Sequence, residues 1–362
     1  MKNYTTLFYC IIVLLIIYIL FKYNQNTEKT AQRSIQEYLL SDKGIQKNKK
    51  PILWIYIPHY YNSRHWESFG SRSSFDLNQP YIYLTIQSII QHCSDDFYIC
   101  IIDNNSFGKL LPNLKFDVNE YGNPIHYHLV ILCLLKILYL YGGIIVPASF
   151  LCFKNLLSLY ERGTTDDKIF VGENINRNSS SVHYLFSPDI SFIGAKPENP
   201  IIEDLIEYTQ ILISTDYTDQ SIFLGKLSKW CLDKKNINII SSKKLGCQTS
   251  DDSLVLVDQL LEQDYIRFIP KIYGIWIPAN EILERTHYQW FARLSRKQVL
   301  EGNTILSKYI LLAVAPTKDI PIITEPVEKK NWISFWKVPS DAPVWGLEPI
   351  FLGNNVLRNK DY

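Results

Sequence analysis

The sequence predicts an α/β domain with a mixed, mostly parallel sheet, preceded by one N-terminal transmembrane helix. Three observations predict it: an uncharged apolar run near the start, an alternation of short apolar runs with amphipathic segments, and polar turn residues after the apolar runs. With 362 residues and 47% apolar content, the chain can bury a full core. Most of it is therefore expected to fold.

The N-terminal apolar run covers Leu7–Phe21 and, with its flanks, approaches the ~20 residues that cross a bilayer core. No small-residue cleavage site follows, so we expect a retained signal anchor over residues 7–23, after a tail of residues 1–6. The lipid bilayer is then a partner. Basic residues after the run slightly outweigh those before it, which favours a cytoplasmic globular part. Glycosylation sequons at Asn104 and Asn178 favour the other face, so the orientation stays open.

Charge and cysteine usage exclude several functions. Lys plus Arg 37 against Asp plus Glu 36 leaves a net charge of +1, so no overall field attracts nucleic acid. The seven cysteines are scattered, without the spacing of a Cys/His metal site. We expect reduced, mostly buried thiols, a reducing compartment and no metal centre of this kind.

The first elements predict a βαβ unit. A polar stalk over residues 24–50 leads into a predicted buried strand, Ile52–Ile57. Pro80–His92 begins with proline and places its isoleucines on one face, as an amphipathic helix does. A second buried strand is predicted at Phe97–Ile102. Strand, helix and strand with turn residues at the strand ends are typical of a nucleotide-binding half.

The middle of the chain predicts a central core helix. His128–Tyr141 is apolar on every face, although a second membrane span over Leu129–Val146 stays an alternative. Strands are predicted at Ile144–Val146, Ile169–Gly172 and Ser191–Ala195.

The last third predicts an amphipathic helix, short strands and an extended tail. The helix is Pro200–Ile213, and the strands include Tyr265–Ile269 and Tyr273–Ile277. Residues 51–315 are expected to form one domain. The Pro- and Trp-rich residues 316–362 are expected to wrap over it.

Two motifs stand in a recognisable order within residues 52–230. Tyr141-Gly142-Gly143 lies between the core helix and a strand, and Phe192–Pro200 reads Phe-Ile-Gly-Ala-Lys-Pro-Glu-Asn-Pro. This order resembles the DXD-type sugar-binding glycosyltransferases, the family of fungal initiating mannosyltransferases and capsular-polysaccharide enzymes. The resemblance implies a GT-A-like fold and transfer of a sugar from a nucleotide-sugar to a glycan or glycoprotein acceptor. The residue usage and anchored arrangement are also similar to membrane proteins of large DNA viruses.

The chain departs from that family where its metal would bind. Pro147-Ala148-Ser149 stands where the Asp-x-Asp is expected, and it offers no carboxylate to a cation that would neutralise a diphosphate. Ile131 and Leu134 stand where the family usually has an Asp and an Arg. The resemblance therefore implies a metal-independent transferase or an inactive one. No cofactor is predicted, because the nucleotide-sugar is a substrate. Without the Asp-x-Asp, a bound divalent metal is not expected either.

Candidate nucleotide contacts follow from the strand ends and the motif. Asp103 and Asn104 end the second strand and could hold the nucleoside, or simply form an Asx turn. The loop after the first strand could bind phosphate, or be a solvated surface loop. The remaining candidates come from that loop and from the glycine motif: Arg64, Arg72, Ser73, Gly142, Gly143 and Ser149.

Candidate catalytic groups are Glu173, Asp189 and Asp219, which could accept the proton of an acceptor hydroxyl. Each could equally cap a helix or form a turn. Trp276–Glu281 could stack on a sugar or pack in the core. A second function from another class is a catalytically inactive transferase fold that serves as a membrane-tethered binding or structural protein.

Overall fold

The computed structural model describes residues 50–57, 79–111, 114–215 and 219–315. Within them lies a six-stranded sheet of order β2-β1-β3-β6-β5-β7, and a separate pair, β4 with β8. The strands are β1 Ile52–Tyr56, β2 Tyr98–Ile102, β3 Gly143–Pro147, β4 Phe150–Cys152, β5 Ile169–Ile175, β6 Phe186–Ala195, β7 Ile237–Ile240 and β8 Gly274–Trp276. The predictions for residues 1–49 and 316–362 lie outside the described residues.

The six-stranded sheet is mixed and mostly parallel. β1 pairs in parallel with β2 and β3, and β5 pairs in parallel with β7. Only β6 runs the other way, antiparallel to both β3 and β5. The carboxyl ends of the five parallel strands therefore meet at one edge of the sheet, which we call the carboxyl edge. The opposite edge is the amino edge.

Helices cover both faces of this sheet. Alternation along β1 sends Trp54 to one face and Leu53 and Ile55 to the other, and all three are fully buried. α2, α3, α5 and α6 pack on the Trp54 face, and α1 and α4 pack on the other. The helices are α1 Tyr81–Cys93, α2 Asn104–Leu110, α3 Ile125–Tyr141, α4 Leu157–Gly163, α5 Pro200–Thr215 and α6 Gln220–Asp233. The predicted α/β class is confirmed.

A third layer, formed by the end of the described chain, packs on the outer side of α1. Tyr81 and Leu84 of α1 share its core with Leu151 of β4 and Ile275 of β8. Its helices are short: α7 Val257–Leu261, α8 Ala279–Glu284, α9 Gln289–Ala292, α10 Arg296–Leu300 and α11 Ile305–Val314. This layer places β8 and α8 next to the carboxyl end of β3.

The predicted core helix is confirmed in α3. Its buried side chains include His128, Cys133 and Leu138, and it packs against α5 and the sheet. The alternative of a second span over Leu129–Val146 is wrong, because the helix ends at Tyr141 and β3 begins at Gly143. Among the described residues, no helix has both the length and the apolar character to cross a membrane.

The structure corrects three other predictions. β2 is only partly buried, with Ile101 51% exposed, because it is the outermost strand and has a neighbouring strand on one side only. Tyr265–Ile269 is not a strand: Ile266 inserts into the third layer, and its carbonyl accepts the Tyr309 hydroxyl. β6 begins at Phe186, because it pairs with the extended β5 as far as Ile175. Asp189 therefore lies inside a strand and not before one.

Candidate functional site

Polar side chains gather at the carboxyl edge of the sheet. Asp103 follows β2, Ser149 follows β3, and Ser241 follows β7. Glu173 and Asp189 lie near the same edge in β5 and β6, where Gly172 pairs with Asp189. In sheets of this kind, ligands bind beyond the carboxyl ends of the parallel strands. This edge is the candidate site.

Asp103 and Asn104 both have structural partners at the start of α2. Asp103 caps the helix, and its carboxylate accepts hydrogen bonds from the backbone N–H and hydroxyl of Ser106. The Asn104 amide oxygen accepts the Tyr56 hydroxyl at 2.6 Å, and its amide nitrogen donates to Asn119 Oδ1 at 2.9 Å. The Asn104 bonds connect the carboxyl end of β1 with the start of α2. The Asp103 carboxylate has the local, structural role that the Asx-turn alternative predicts.

Pro147-Ala148-Ser149 forms the turn from β3 into β4. Ala148 and Ser149 are buried, and their carbonyls accept hydrogen bonds from Thr85 Oγ1 and from the backbone N–H of Ile277. The turn is thus held by α1 on one side and by the residue after β8 on the other. No group of three or more His, Cys, Asp and Glu side chains in the described parts of the chain is arranged to hold a metal ion.

Glu173 and Asp189 belong to a half-buried polar network. Glu173 Oε2 accepts the backbone N–H and the hydroxyl of Ser242, both at 2.9 Å, which ties β5 to the turn after β7. Asp189 accepts the N–H of Ser191 and, at 3.4 Å, the side-chain amide of Asn174. Both carboxylates are therefore positioned by neighbouring elements at the carboxyl edge.

The Cys247 thiol lies among these groups. It donates to the Asn174 side-chain oxygen, and burial raises its pKa to about 12. The positive charge of Arg177 acts to lower this pKa, whereas the negative charges of Asp189 and Glu173 act to raise it further. Asn174 links this thiol to one of the predicted carboxylates, because its side-chain oxygen accepts from Cys247 and its side-chain nitrogen donates to Asp189.

Asp219 lies at the start of α6 and caps it, accepting the backbone N–H groups of Ser221 and Ile222. The Ser221 carbonyl accepts the N–H of Ser179, which belongs to the loop between β5 and β6. Asp219 therefore lies on the side of that loop, with its carboxylate engaged by the helix, as the capping alternative describes.

Gly142 and Gly143 lie at the amino edge, away from the other candidates. Gly143 begins β3 and Pro147 ends it, a separation of roughly 13 Å along a strand. Both glycines have positive φ angles, +67° and +101°. A Cβ at Gly143 would overlap the Ile52 carbonyl oxygen. They allow α3 to turn into the sheet, as the motif predicts, but the structure does not bring them to Asp103 or Ser149.

The predicted phosphate loop falls outside the described residues. Arg64, Arg72 and Ser73 all belong to residues 58–78, so their predicted roles stay predictions. Ile57, the last described residue before this stretch, follows the carboxyl end of β1 and donates its N–H to the Ile102 carbonyl.

No motif in the sequence points to Arg177, and Glu281 is predicted only as part of the sugar-stacking segment Trp276–Glu281. Arg177 Nε donates to Glu281 Oε2 at 2.9 Å, across 104 positions of the chain. Arg177 lies four residues after Glu173, the candidate that follows the predicted strand Ile169–Gly172, and this position is the signal that could have identified it. Trp276 packs against Phe192 in the core, with ring centroids 6.0 Å apart, as the core alternative predicted.

Comparisons with known proteins give structural likenesses only. No protein-family model matches the sequence, and no curated protein matches it. One similar structure is the glycosyltransferase GlyE of Streptococcus pneumoniae TIGR4, at 10% identity and a TM-score of 0.31, covering 54% of this chain and 46% of that chain. Another is the PaToxG glycosyltransferase, at 12% identity and a TM-score of 0.30, covering 57% and 79%. The chain thus spans less than half of GlyE. At these TM-scores the likenesses assign neither a family nor an activity.

Proposed function

We propose that this protein transfers a sugar from a nucleotide-sugar donor to a glycan or glycoprotein acceptor, without a metal held by an Asp-x-Asp. The observation that carries the proposal is the gathering of Asp103, Ser149, Glu173 and Asp189 at the carboxyl edge of a mostly parallel sheet. The order of motifs in the sequence, which resembles DXD-type transferases, supports the same reaction class. Membrane anchoring through residues 7–23 belongs to the proposal, with the domain on the cytoplasmic face.

The reaction needs a base and a means of stabilising the leaving group. The acceptor hydroxyl oxygen bonds to the anomeric carbon as the bond from that carbon to the diphosphate oxygen breaks. The hydroxyl proton passes to a carboxylate, and the nucleoside diphosphate leaves with the electron pair. Glu173 and Asp189 are the better placed bases, because they lie in β5 and β6 near the carboxyl edge, whereas Asp219 lies at the start of α6. Asp103 is proposed to hold the nucleoside, and Arg64, Arg72 and Ser73 to contact the diphosphate.

The test is calorimetric titration of the full-length protein with UDP- and GDP-sugars, in EDTA and then in Mn²⁺. Binding in EDTA, with slow release of free sugar that is lost in Asp189→Asn, supports the proposal. A donor that binds only with Mn²⁺ would contradict the metal-independent route.

A second candidate function is a transferase fold that serves only as a membrane-tethered binding or structural protein. The observation that favours it is the occupation of Asp103, Asn104 and Asp219 by structural hydrogen bonds. Absence of binding to every nucleotide and nucleotide-sugar, in a protein shown to be folded, would favour this function over transfer.

A further inference from the structure

Two arginines at the carboxyl edge share one half-buried carboxylate. Arg177 Nε lies 2.9 Å from Glu281 Oε2, and Arg285 Nη1 lies 3.0 Å from Glu281 Oε1. The Glu281 side chain is only 12% exposed, whereas those of Arg177 and Arg285 are 38% and 63% exposed. A carboxylate between two guanidinium groups relieves their mutual repulsion. Both cations are therefore held within a few ångströms of one point while they stay open to solvent.

This cluster lies where a ligand bound at the carboxyl edge of the sheet would contact it. Arg177 comes two residues after the carboxyl end of β5, and Glu281 lies in α8, four residues after Ile277. The Ile277 N–H donates to the Ser149 carbonyl, at the turn where the sequence lacks the expected carboxylates. The arginines thus lie between the end of β5 and the end of β3.

The Arg177–Glu281–Arg285 cluster keeps hydrogen-bonding capacity, and these three side chains together carry one net positive charge. Each guanidinium has five N–H donors, and the ion pairs with Glu281 use one nitrogen of each. Arg177 Nη1 also approaches the Ile175 carbonyl at 3.4 Å, and Arg285 contacts the Tyr288 hydroxyl, which donates to Asp258. Glu173 and Asp189 also lie on the Arg177 side, near Cys247. Guanidinium groups bind phosphate oxygens in a bidentate manner, so the remaining N–H groups can donate to the oxygens of a diphosphate.

We propose that Arg177 and Arg285 bind the diphosphate of the nucleotide-linked donor and offset the charge that a metal ion would otherwise neutralise. This inference rests on the proposed transferase function for the identity of the donor. Glu281 is a positioning residue, because it orders both guanidinium groups before the ligand arrives. The bidentate fork of arginine is the property that this role requires.

The first experiment measures pyrophosphate and UDP binding to the full-length protein by calorimetry in EDTA. Arg177→Ala and Arg285→Ala are each expected to weaken pyrophosphate binding about 10-fold or more, the usual loss for a charge-assisted hydrogen bond. The matched control is Lys234→Ala, which removes a cation from the exposed Lys234–Asp204 ion pair. It is expected to change the affinity less than about 2-fold. Unchanged binding in the double variant Arg177→Ala/Arg285→Ala would overturn the inference.

A second experiment uses the unmodified sequence, so its result does not depend on whether the arginine variants fold. Phenylglyoxal modifies accessible arginines, and mass spectrometry locates the modified positions. Pyrophosphate is expected to protect Arg177 and Arg285 but not the exposed Arg162 of α4. Equal modification with and without pyrophosphate would overturn the inference.

The two proposals fail in different ways. Arginine-dependent pyrophosphate binding without any binding of nucleotides would contradict the transferase function and leave the anion site standing. Nucleotide binding that does not depend on Arg177 or Arg285 would leave the transferase function standing and reject these arginines.

Discussion

The two edges of the sheet differ in what their residues do. At the amino edge, Gly142 and Gly143 pack against Pro197 and Ile52 so closely that no side chain fits. At the carboxyl edge, the partly buried Glu173 and Asp189 accept hydrogen bonds from Ser242 and Asn174, and the exposed Arg177 pairs with Glu281. The glycine motif therefore serves folding, and the charged groups lie at the opposite edge of the same sheet.

The largest expected effect comes from Gly143→Ala. The new Cβ would meet the Ile52 carbonyl oxygen, and φ is +101°, a conformation that alanine rarely adopts. We expect a loss of at least about 3 kcal/mol in the free energy of unfolding, measured by urea denaturation. The control is Gly108→Ala in α2, where a Cβ meets nothing within 4 Å. It should change stability by no more than about 1 kcal/mol, in the stabilising direction. Equal losses of stability in Gly143→Ala and Gly108→Ala would contradict the close packing inferred at Gly143.

A smaller effect is expected at the carboxyl edge from Asn178→Ala. The buried Asn178 amide donates to Ser228 Oγ at 3.2 Å and accepts the Ser180 N–H at 2.9 Å, which ties the β5–β6 loop to α6. Its removal leaves buried polar partners unsatisfied, at a cost of about 2 kcal/mol. Asn105→Ala, at an exposed position of α2, should cost less than about 0.5 kcal/mol. A loss at Asn178 as small as at Asn105 would show that the loop is not held in this way.

The smallest effect is the pH dependence due to Cys247. Burial raises the pKa of its thiol from 9.0 to about 12, so the folded state keeps the proton where the unfolded state has lost it. This stabilisation is complete below pH 9.0 and is lost as the pH rises towards 12. Between pH 8 and 10 the loss is about 1 kcal/mol. Urea denaturation at both pH values should give a smaller difference for Cys247→Ala, and an unchanged difference would contradict the burial of this thiol.

Patterns of neighbouring residues in the sequence predict the individual strands, helices and turns of the fold. The apolar run of β1, the helix α1 and the Tyr-Gly-Gly turn all depend on neighbouring residues, and all three are confirmed. The predicted isoleucine face of α1 is confirmed for Ile86 and Ile89, which are buried, but not for Ile90, which is 37% exposed. The described cysteines are free and five of the six are buried, as predicted. The extension of β6 to Phe186 depends on pairing with β5, which no window within β6 reveals.

The candidate site was predicted only in part, for the same reason. Glu173 and Asp189 are candidates because they adjoin the predicted strands Ile169–Gly172 and Ser191–Ala195, although the structure places both inside longer strands. The Arg177–Glu281 pair joins residues 104 positions apart and depends on β8 placing α8 beside Ser149. The residues near Arg177 or near Glu281 in the sequence do not predict that contact. The capping role of Asp219, by contrast, was foreseen as an alternative, because a cap depends only on the next three residues.

The most direct test of the account is hydrogen–deuterium exchange of the full-length protein with and without UDP or GDP, in EDTA. We expect slower exchange at the carboxyl edge, in peptides that contain Asp103, Ser149, Glu173–Arg177 and Glu281. Exchange at Gly142 and Gly143 should stay unchanged. Protection centred on those glycines, or no protection anywhere in a folded protein, would contradict the claim that the carboxyl edge binds the nucleotide.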